Sequence, residues 1–275
     1  MPDVSERMYG ALIQHGPASN RIYLMDMEHA VAAELVPGLL QLAEQNGYTK
    51  IFAKVPCTES AEFVAAGFEI EAIVPQLYRG TTDGHFLGLF LDKRRRVEEL
   101  AQQYDEVAAL AQSKVIAPGS FKSHPMRLCT PGDAEAMAEL YRTVFDSYPF
   151  PIDDPSFIIT SMQEGTVYAG LWEEETLVAL ASAECNFAPH AQYAEMTDFA
   201  TLPPYRGNGY ASQLLSFLEQ EVRSRGINTL YTIARAVSPG MNCTFAKSGY
   251  TFGGRLRNNT QIAGTIESMH IWYKC

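Results

Sequence analysis

Apolar residues fall at helical spacing in two well-separated stretches of the chain. In the first, Leu39, Leu40, Leu42 and Ala43 share one face, Gly47 supplies a stop, and residues 51–55 read as a strand. In the second, Leu214, Leu215, Leu218 and Val222 play the same part, Gly226 ends the helix, and residues 230–234 form the strand. Each unit then runs through a short helix closing on Gly-aromatic into a further strand, FVAAGFEIEAIVPQLYRG after the first and TFAKSGYTFGGRLRNN after the second. The matching order predicts an internal repeat of helix, strand, short helix and strand.

Between the two units, LDKRRRVEELAQQYDEVAALAQSKVIAPGS predicts a charged helix to about Ser113 and a turn at Pro118 and Gly119. Lys93 to Arg96, with Glu98 and Glu99 beside them, read as a solvated, salt-bridged face. After the connection, MRLC predicts a short strand, PGDAEAMAELYRTVF a helix, and SYPFPIDDPSF a loop crowded with prolines and aromatics. Strands at 167–172, 177–186 and 193–202 follow, and the last runs into PPYRGNGYAS, which opens the helix ending at Arg225. The expected class is α/β (α+β), a mixed twisted sheet flanked by helices. The expected division is a half domain at 1–97, a linker helix and connection at 98–122, and a second domain at 123–275.

Composition narrows the function classes. The 275 residues are 47% hydrophobic and 19% charged, an ordinary globular balance. A formal net charge of -11 argues against a nucleic-acid partner and is compatible with a cationic substrate. No apolar run reaches the roughly 18 to 20 residues a membrane span requires, and MPDVSERMYG lacks the basic and apolar segments of a signal peptide. A cytoplasmic protein without membrane contact is expected. The five cysteines are odd in number and never closely paired, so reduced, mostly buried thiols are expected. The six histidines are scattered, without HExxH, and no metal site is expected.

The glycine turn carries the first chemical signal. Gly207 and Gly209 flank Asn208 at a helix start, so the amides of Arg206, Gly207, Asn208, Gly209, Tyr210 and Ala211 can converge on one small space. At a helix N-terminus such donors suit a pyrophosphate. A Walker loop is excluded because Tyr210 and Ala211 stand where Lys and Ser/Thr would begin. A dinucleotide fingerprint fails at Ser212 and lacks its acidic residue about twenty positions on.

PYRGNG resembles the pyrophosphate loop of the GNAT acetyltransferase superfamily, Gln/Arg-x-x-Gly-x-Gly/Ala, with Pro204 at the first position removing one amide donor. FAKSGY matches the superfamily's aromatic-x-x-x-Gly-aromatic close, and the likeness covers roughly residues 123–275. EMTDFATLP, SYPFPI, GRLRNNTQIAGTIESMHIWYK, YTKIFAKVP and PQLYRG together look like the β-lysine N-acetyltransferase family over nearly the whole chain. Two departures from that family's pattern are Gln261 and His270, which stand where it carries Asn.

The resemblance implies acetyl-CoA as cosubstrate and a small amine, β-lysine, as acceptor. A lysine-type amine has a pKa of about 10.4, so a carboxylate must take its proton. Glu195 is implied as that base by its distance from the glycine turn, with Asp198 the alternative. On a regular strand the two point to opposite faces, so only one should reach the acetyl group. A free amide among Phe199, Ala200 and Thr201 is implied as an oxyanion donor, and Asn242 as a further cofactor contact. Phe245 stands where many relatives carry a tyrosine acid and reads as a wall for the pantetheine arm or as core. Tyr148, Phe150, Asn258, Asn259 and Glu267 are the acceptor candidates, although adjacent asparagines also serve plain turns. The N-terminal part, with VAAELVPG in place of a glycine turn, is expected to bind no CoA and either to shape the acceptor pocket or to form a homodimer contact. Two other functions fit the same residues: an acetyl-CoA-binding regulator without turnover, and an acetyltransferase acting on a protein amine.

Overall fold

The computed structural model describes residues 3–115 and 125–275. Pro118 and Gly119 lie outside the described residues. The chain begins with an antiparallel meander, β1 (Val4–Met8), β2 (Ala11–Gly16) and β3 (Arg21–Asp26). There follow α1 (Ala32–Asn46), β4 (Lys50–Pro56), α2 (Ser60–Ala65), β5 (Glu69–Tyr78), β6 (Thr82–Phe90) and α3 (Ala101–Gln112). The later part holds β7 (Met126–Leu128), α4 (Ala134–Val144), α5 (Pro155–Gln163), β8 (Val167–Glu173), β9 (Thr176–Asn186) and β10 (Tyr193–Thr201). It closes with α6 (Tyr210–Ser224), β11 (Thr229–Arg235), α7 (Pro239–Lys247), β12 (Thr251–Ile262) and β13 (Thr265–Lys274).

These strands join one mixed sheet in the order β1-β2-β3-β4-β6-β5-β12-β13-β11-β10-β9-β8-β7. The repeat legible in the sequence is visible in that order. β3 lies parallel to β4 as β10 does to β11, and the hairpin β5-β6 corresponds to the hairpin β12-β13. The correspondence extends further upstream than the sequence indicates, because β1-β2-β3 mirrors β8-β9-β10. The two copies meet at β5 and β12, where Gly254 opposes Ala72 with φ of 142°. A Cβ on Gly254 would lie 2.4 Å from the Glu71 carbonyl oxygen, so only glycine allows the seam to close.

Alternation along the strands builds two kinds of core. Ile22, Leu24, Ile51, Ala53 and Val55 face α1, while Ala194, Met196 and Leu230 face α6. The opposite faces of the two copies share a third core, in which Tyr23, Phe52 and Phe86 pack with Tyr193, Tyr231 and Ile271. This aromatic layer fixes the N-terminal strands against the strands of the later part. Burying an aromatic side chain is worth roughly 1.5–3 kcal/mol.

Several local expectations are corrected. Helix α1 starts at Ala32 and runs through Pro37, because burial of Leu35, Val36 and Leu39 outweighs the lost backbone bond. The charged helix is broken: Lys93–Arg96 form a 3-10 turn and the α-helix begins only at Ala101. Arg95 is not on a solvated face. It is buried and donates to the carbonyls of Asn258 and Ser19, each at 2.7 Å, and to Thr49 Oγ1 at 3.0 Å. The segment read as a loop ends in helix α5, started by Asp154 accepting from the Ser156 amide at 2.9 Å with Pro155 in the first turn. The cysteines are free but none is fully buried, and Cys275 is exposed.

Candidate active site

A cavity of about 1730 Å³ lies between the two copies. Its wall takes Arg21 and Tyr23 from β3, Phe52 and Lys54 from β4, Glu184 from β9, and Glu195 from β10. These are the residues that alternate away from the α1 and α6 cores, so the pattern that buries one strand face also paints the cavity.

At its centre, Glu195 and Glu184 oppose each other across β10 and β9. Asp198 joins them on the same wall, contrary to the expectation that Glu195 and Asp198 face opposite sides. The reason is a bulge between Thr197 and Ala200, with Asp198 at φ of 55°, which breaks the two-residue alternation. Burial raises the pKa of each of the three carboxyls. For Glu184 the neighbouring Glu195 and Asp198 push it further, well above the carboxylate range. For Glu195, Lys54 and the Tyr231 hydroxyl oppose the rise. Asp198 is saturated, accepting from Ser182 Oγ at 2.6 Å, Tyr148 Oη at 2.7 Å and Thr197 Oγ1 at 3.3 Å.

Glu195 is held by a relay that reaches across the copies. Lys54 Nζ donates to Tyr231 Oη at 2.9 Å, and Tyr231 Oη donates to Glu195 Oε2 at 2.7 Å. The Lys54 ammonium also lies 4.5 Å from the Tyr193 ring centre. The sequence alone does not single out Lys54 or Tyr23, though Lys54 sits in YTKIFAKVP. The available signal is a pair of lysines, Lys50 and Lys54, on a strand whose other residues are all apolar.

The cavity continues along β10 to the glycine turn. β10 pairs with β11 only from Tyr193 to Glu195, and beyond that register the two parallel strands part. Phe199 and Thr201 line the gap, and Arg206, Gly207, Gly209, Tyr210 and Ala211 line its far end. Gly207 and Gly209 have φ of 86° and 75°, and a Cβ on Gly207 would meet no atom within 4 Å. The first bond of the following helix runs from the Gln213 amide to the Gly209 carbonyl at 3.1 Å, so the amides of Ala211 and Ser212 are not needed by the helix. The turn thus offers an open cradle of amides for a diphosphate.

Other expected positions fall elsewhere. Arg206 lines the wall but its amide is taken up by the Pro203 carbonyl at 3.3 Å, while Asn208 stands off the wall with its side chain donating to the Tyr205 carbonyl at 3.0 Å. Ala200 packs under α4 instead of lining the gap. Asn242 is wholly buried: its Nδ2 donates to the carbonyls of Arg235 and Ser238, and its Oδ1 accepts from Trp272 Nε1 at 2.8 Å and His270 Nδ1 at 2.9 Å. Those contacts make it a lock between α7 and β13. Phe245 is buried against Phe199 and Tyr250 yet lines the gap, so it is both core and wall.

Among the acceptor candidates, Tyr148, Phe150 and Asn259 line the cavity. Asn258 does not, because its amide donates to the carbonyls of Arg95 and Val97. Glu267 is paired with Arg235 at 2.6 Å, outside the wall. The loop bearing Tyr148 and Phe150 is tied down by Tyr148 donating to Asp198 and by Gln14 Nε2 donating to the Pro149 carbonyl at 3.0 Å.

The model of the acetyltransferase (GNAT) family matches residues 134–250, which contain the splayed strands and the glycine turn. The chain is 32% identical over 267 residues to beta-lysine N(6)-acetyltransferase of Methanococcus maripaludis, covering 96% of each chain. It is 31% identical to N-acetyltransferase YodP of Bacillus subtilis, over 96% of this chain and 95% of that one. It is 29% identical to beta-lysine N(6)-acetyltransferase of Methanosarcina mazei, over 87% of this chain and 96% of that one. With a fold, a glycine turn and full-length relatives in agreement, the chain belongs to the GNAT acetyltransferase family.

Proposed function

We propose that this protein transfers an acetyl group from acetyl-CoA to the N6 amine of β-lysine, giving a zwitterionic product suited to a compatible solute. The observation that carries the reading is the Lys54-Tyr231-Glu195 relay at the point where β10 and β11 part. The glycine turn would hold the diphosphate, and the gap between the strands the pantetheine arm, ending beside Glu195.

A diammonium acceptor suits a cavity with three clustered carboxyls. Glu195 takes the proton from the attacking amine, which must be neutral before its nitrogen can bond to the acetyl carbon. Burial disfavours the Glu195 carboxylate, and Lys54 and the Tyr231 hydroxyl favour it, opposing that effect. Asp198 serves as a positioning residue, since its oxygens are engaged by Ser182 and Tyr148. As the N–C bond forms, the C–S bond breaks, and charge developing on the carbonyl oxygen meets an amide on the unpaired edge of β10. Phe245 offers no proton, and none is essential: with a thiol pKa of about 8.5, the thiolate is a tolerable leaving group.

The tied-down Tyr148 and Phe150 favour a small acceptor over a protein amine, which needs an open groove. The proposed domain division keeps residues 1–97 as an acceptor-shaping unit, supported by Tyr23 and Lys54 in the wall. The direct test is acetyl-CoA turnover over β-lysine, lysine, other diamines and aminoglycosides. Preference for β-lysine is expected. CoA binding without turnover on any amine would replace the enzyme reading with the regulator.

A further inference from the structure

Arg21 carries a buried charge whose Nε and Nη1 find no hydrogen-bond acceptor among the described residues. It is 4% exposed, and it lines the cavity. Its guanidinium carbon lies 5.2 Å from the Tyr23 ring centre and 5.6 Å from that of Phe52. Aromatic faces support a cation but accept none of its directed hydrogen bonds. Asp3 and Glu195 lie close enough to favour the charge without bonding to it, and burial leaves its pKa at about 10, still charged at neutral pH.

Neighbouring cations are already spent. Lys50 Nζ is 2.7 Å from Glu71 and 2.7 Å from the Arg257 carbonyl, and Arg95 is committed to Asn258, Ser19 and Thr49. They add positive potential around Arg21 while offering it no acceptor. A desolvated guanidinium is among the most costly groups to leave unpaired, and its planar fork matches a carboxylate.

Unfilled acceptors lie nearby. Asn259, 1% exposed, lines the same cavity, and its buried Oδ1 has no partner. Gln14, the cross-strand partner of Tyr23, also has a buried Oε1 with no partner among the described residues, but it stands behind the cavity lining. The turn before β3 touches Asn259's strand directly, with the Gln261 amide donating to Ser19 Oγ at 3.3 Å. A fork of donors with an acceptor beside it is the complement of an amino-acid head group, a carboxylate next to an ammonium.

We propose that Arg21 is the carboxylate anchor of the acceptor site, with Asn259 accepting from the adjacent ammonium, so that the distal amine alone reaches Glu195. The proposal rests on the acetyl-transfer reading and deepens it. It makes the N-terminal copy the specificity element: selection for an amino acid over a plain diamine resides in β3, while the acetyl donor is held on the other copy.

The test compares acceptors in pairs that differ only by the carboxylate: β-lysine against the diamine left by its removal, and lysine against cadaverine. In the wild type, kcat/KM should favour the carboxylate-bearing member by about 100-fold, the range for one buried charged pair. Arg21→Gln should bring both members of a pair to similar kcat/KM, while KM for acetyl-CoA stays put. Arg21→Lys, which keeps the charge without the fork, should fall between and serves as the reporter if Arg21→Gln does not fold. A wild type with no such preference, or variants that lower both members equally and preserve the ratio, overturn the anchor. If β-lysine is a poor acceptor but the lysine pair shows an Arg21-dependent ratio, the β-lysine reading fails and the anchor stands. If nothing is turned over, calorimetric binding of the same pairs to wild type and variants reads the same ratio.

Discussion

Tyr231 Oη donates to Glu195 Oε2 at 2.7 Å while accepting from Lys54 of the other copy of the repeat at 2.9 Å. A lysine from the N-terminal strands thus favours the ionised form of a carboxylate more than a hundred positions away, and neither copy holds the relay alone. Tyr231→Phe removes the hydroxyl that opposes Glu195's raised pKa. Because a base works only when ionised, the acid limb of kcat/KM should move to higher pH, read from rate profiles of the two proteins.

Glu195→Gln removes the proton acceptor itself. Turnover should fall by about 100-fold or more at neutral pH, the usual range for a general base. The deficit should shrink as pH rises and solvent deprotonates the amine, with KM for acetyl-CoA unchanged. A deficit independent of pH would assign Glu195 to packing, and steady-state kinetics across pH decides.

Asn242 sits where the family resemblance suggests a cofactor contact, but its amide is consumed by four partners. Asn242→Ala leaves the Trp272 and His270 donors without an acceptor, each worth about 1–3 kcal/mol when buried. Thermal unfolding should show a marked loss of Tm while KM for acetyl-CoA in the folded protein moves little.

Gly207→Ala tests the cradle with the opposite signature. At φ of 86° an L side chain is strained by about 1–2 kcal/mol, and the added methyl projects into open space where the diphosphate would approach. KM for acetyl-CoA should rise and acceptor KM should not, as measured by varying each substrate in turn.

His270 gives a pH dependence of stability with a definite sign. Burial first, then Arg255, lowers its pKa from 6.5 to about 4 in the folded protein. The unfolded chain therefore binds a proton between those values and the native state does not, so this group costs stability as pH falls from about 6.5 to about 4. His270→Gln, which keeps a donor for Asn242, should lose less Tm than the wild type over that interval.

The amino-acid pattern by itself determined the local elements and the glycine turn. Period in the apolar residues, stops at Gly47 and Gly226, and the paired glycines at 207 and 209 are short-range signals, since each depends on backbone geometry within a few residues. What needed tertiary structure is the carboxyl cluster and what surrounds it. The bulge that brings Asp198 beside Glu195 is set by pairing with β9, and the relay through Lys54 and the orphaned charge of Arg21 exist only because β3 and β4 face β10 and β11 across a shared aromatic core. A lysine or an arginine on a strand has no meaning until its surroundings fix whether water, a carboxylate or a ligand will answer it, and those surroundings come from residues far along the chain.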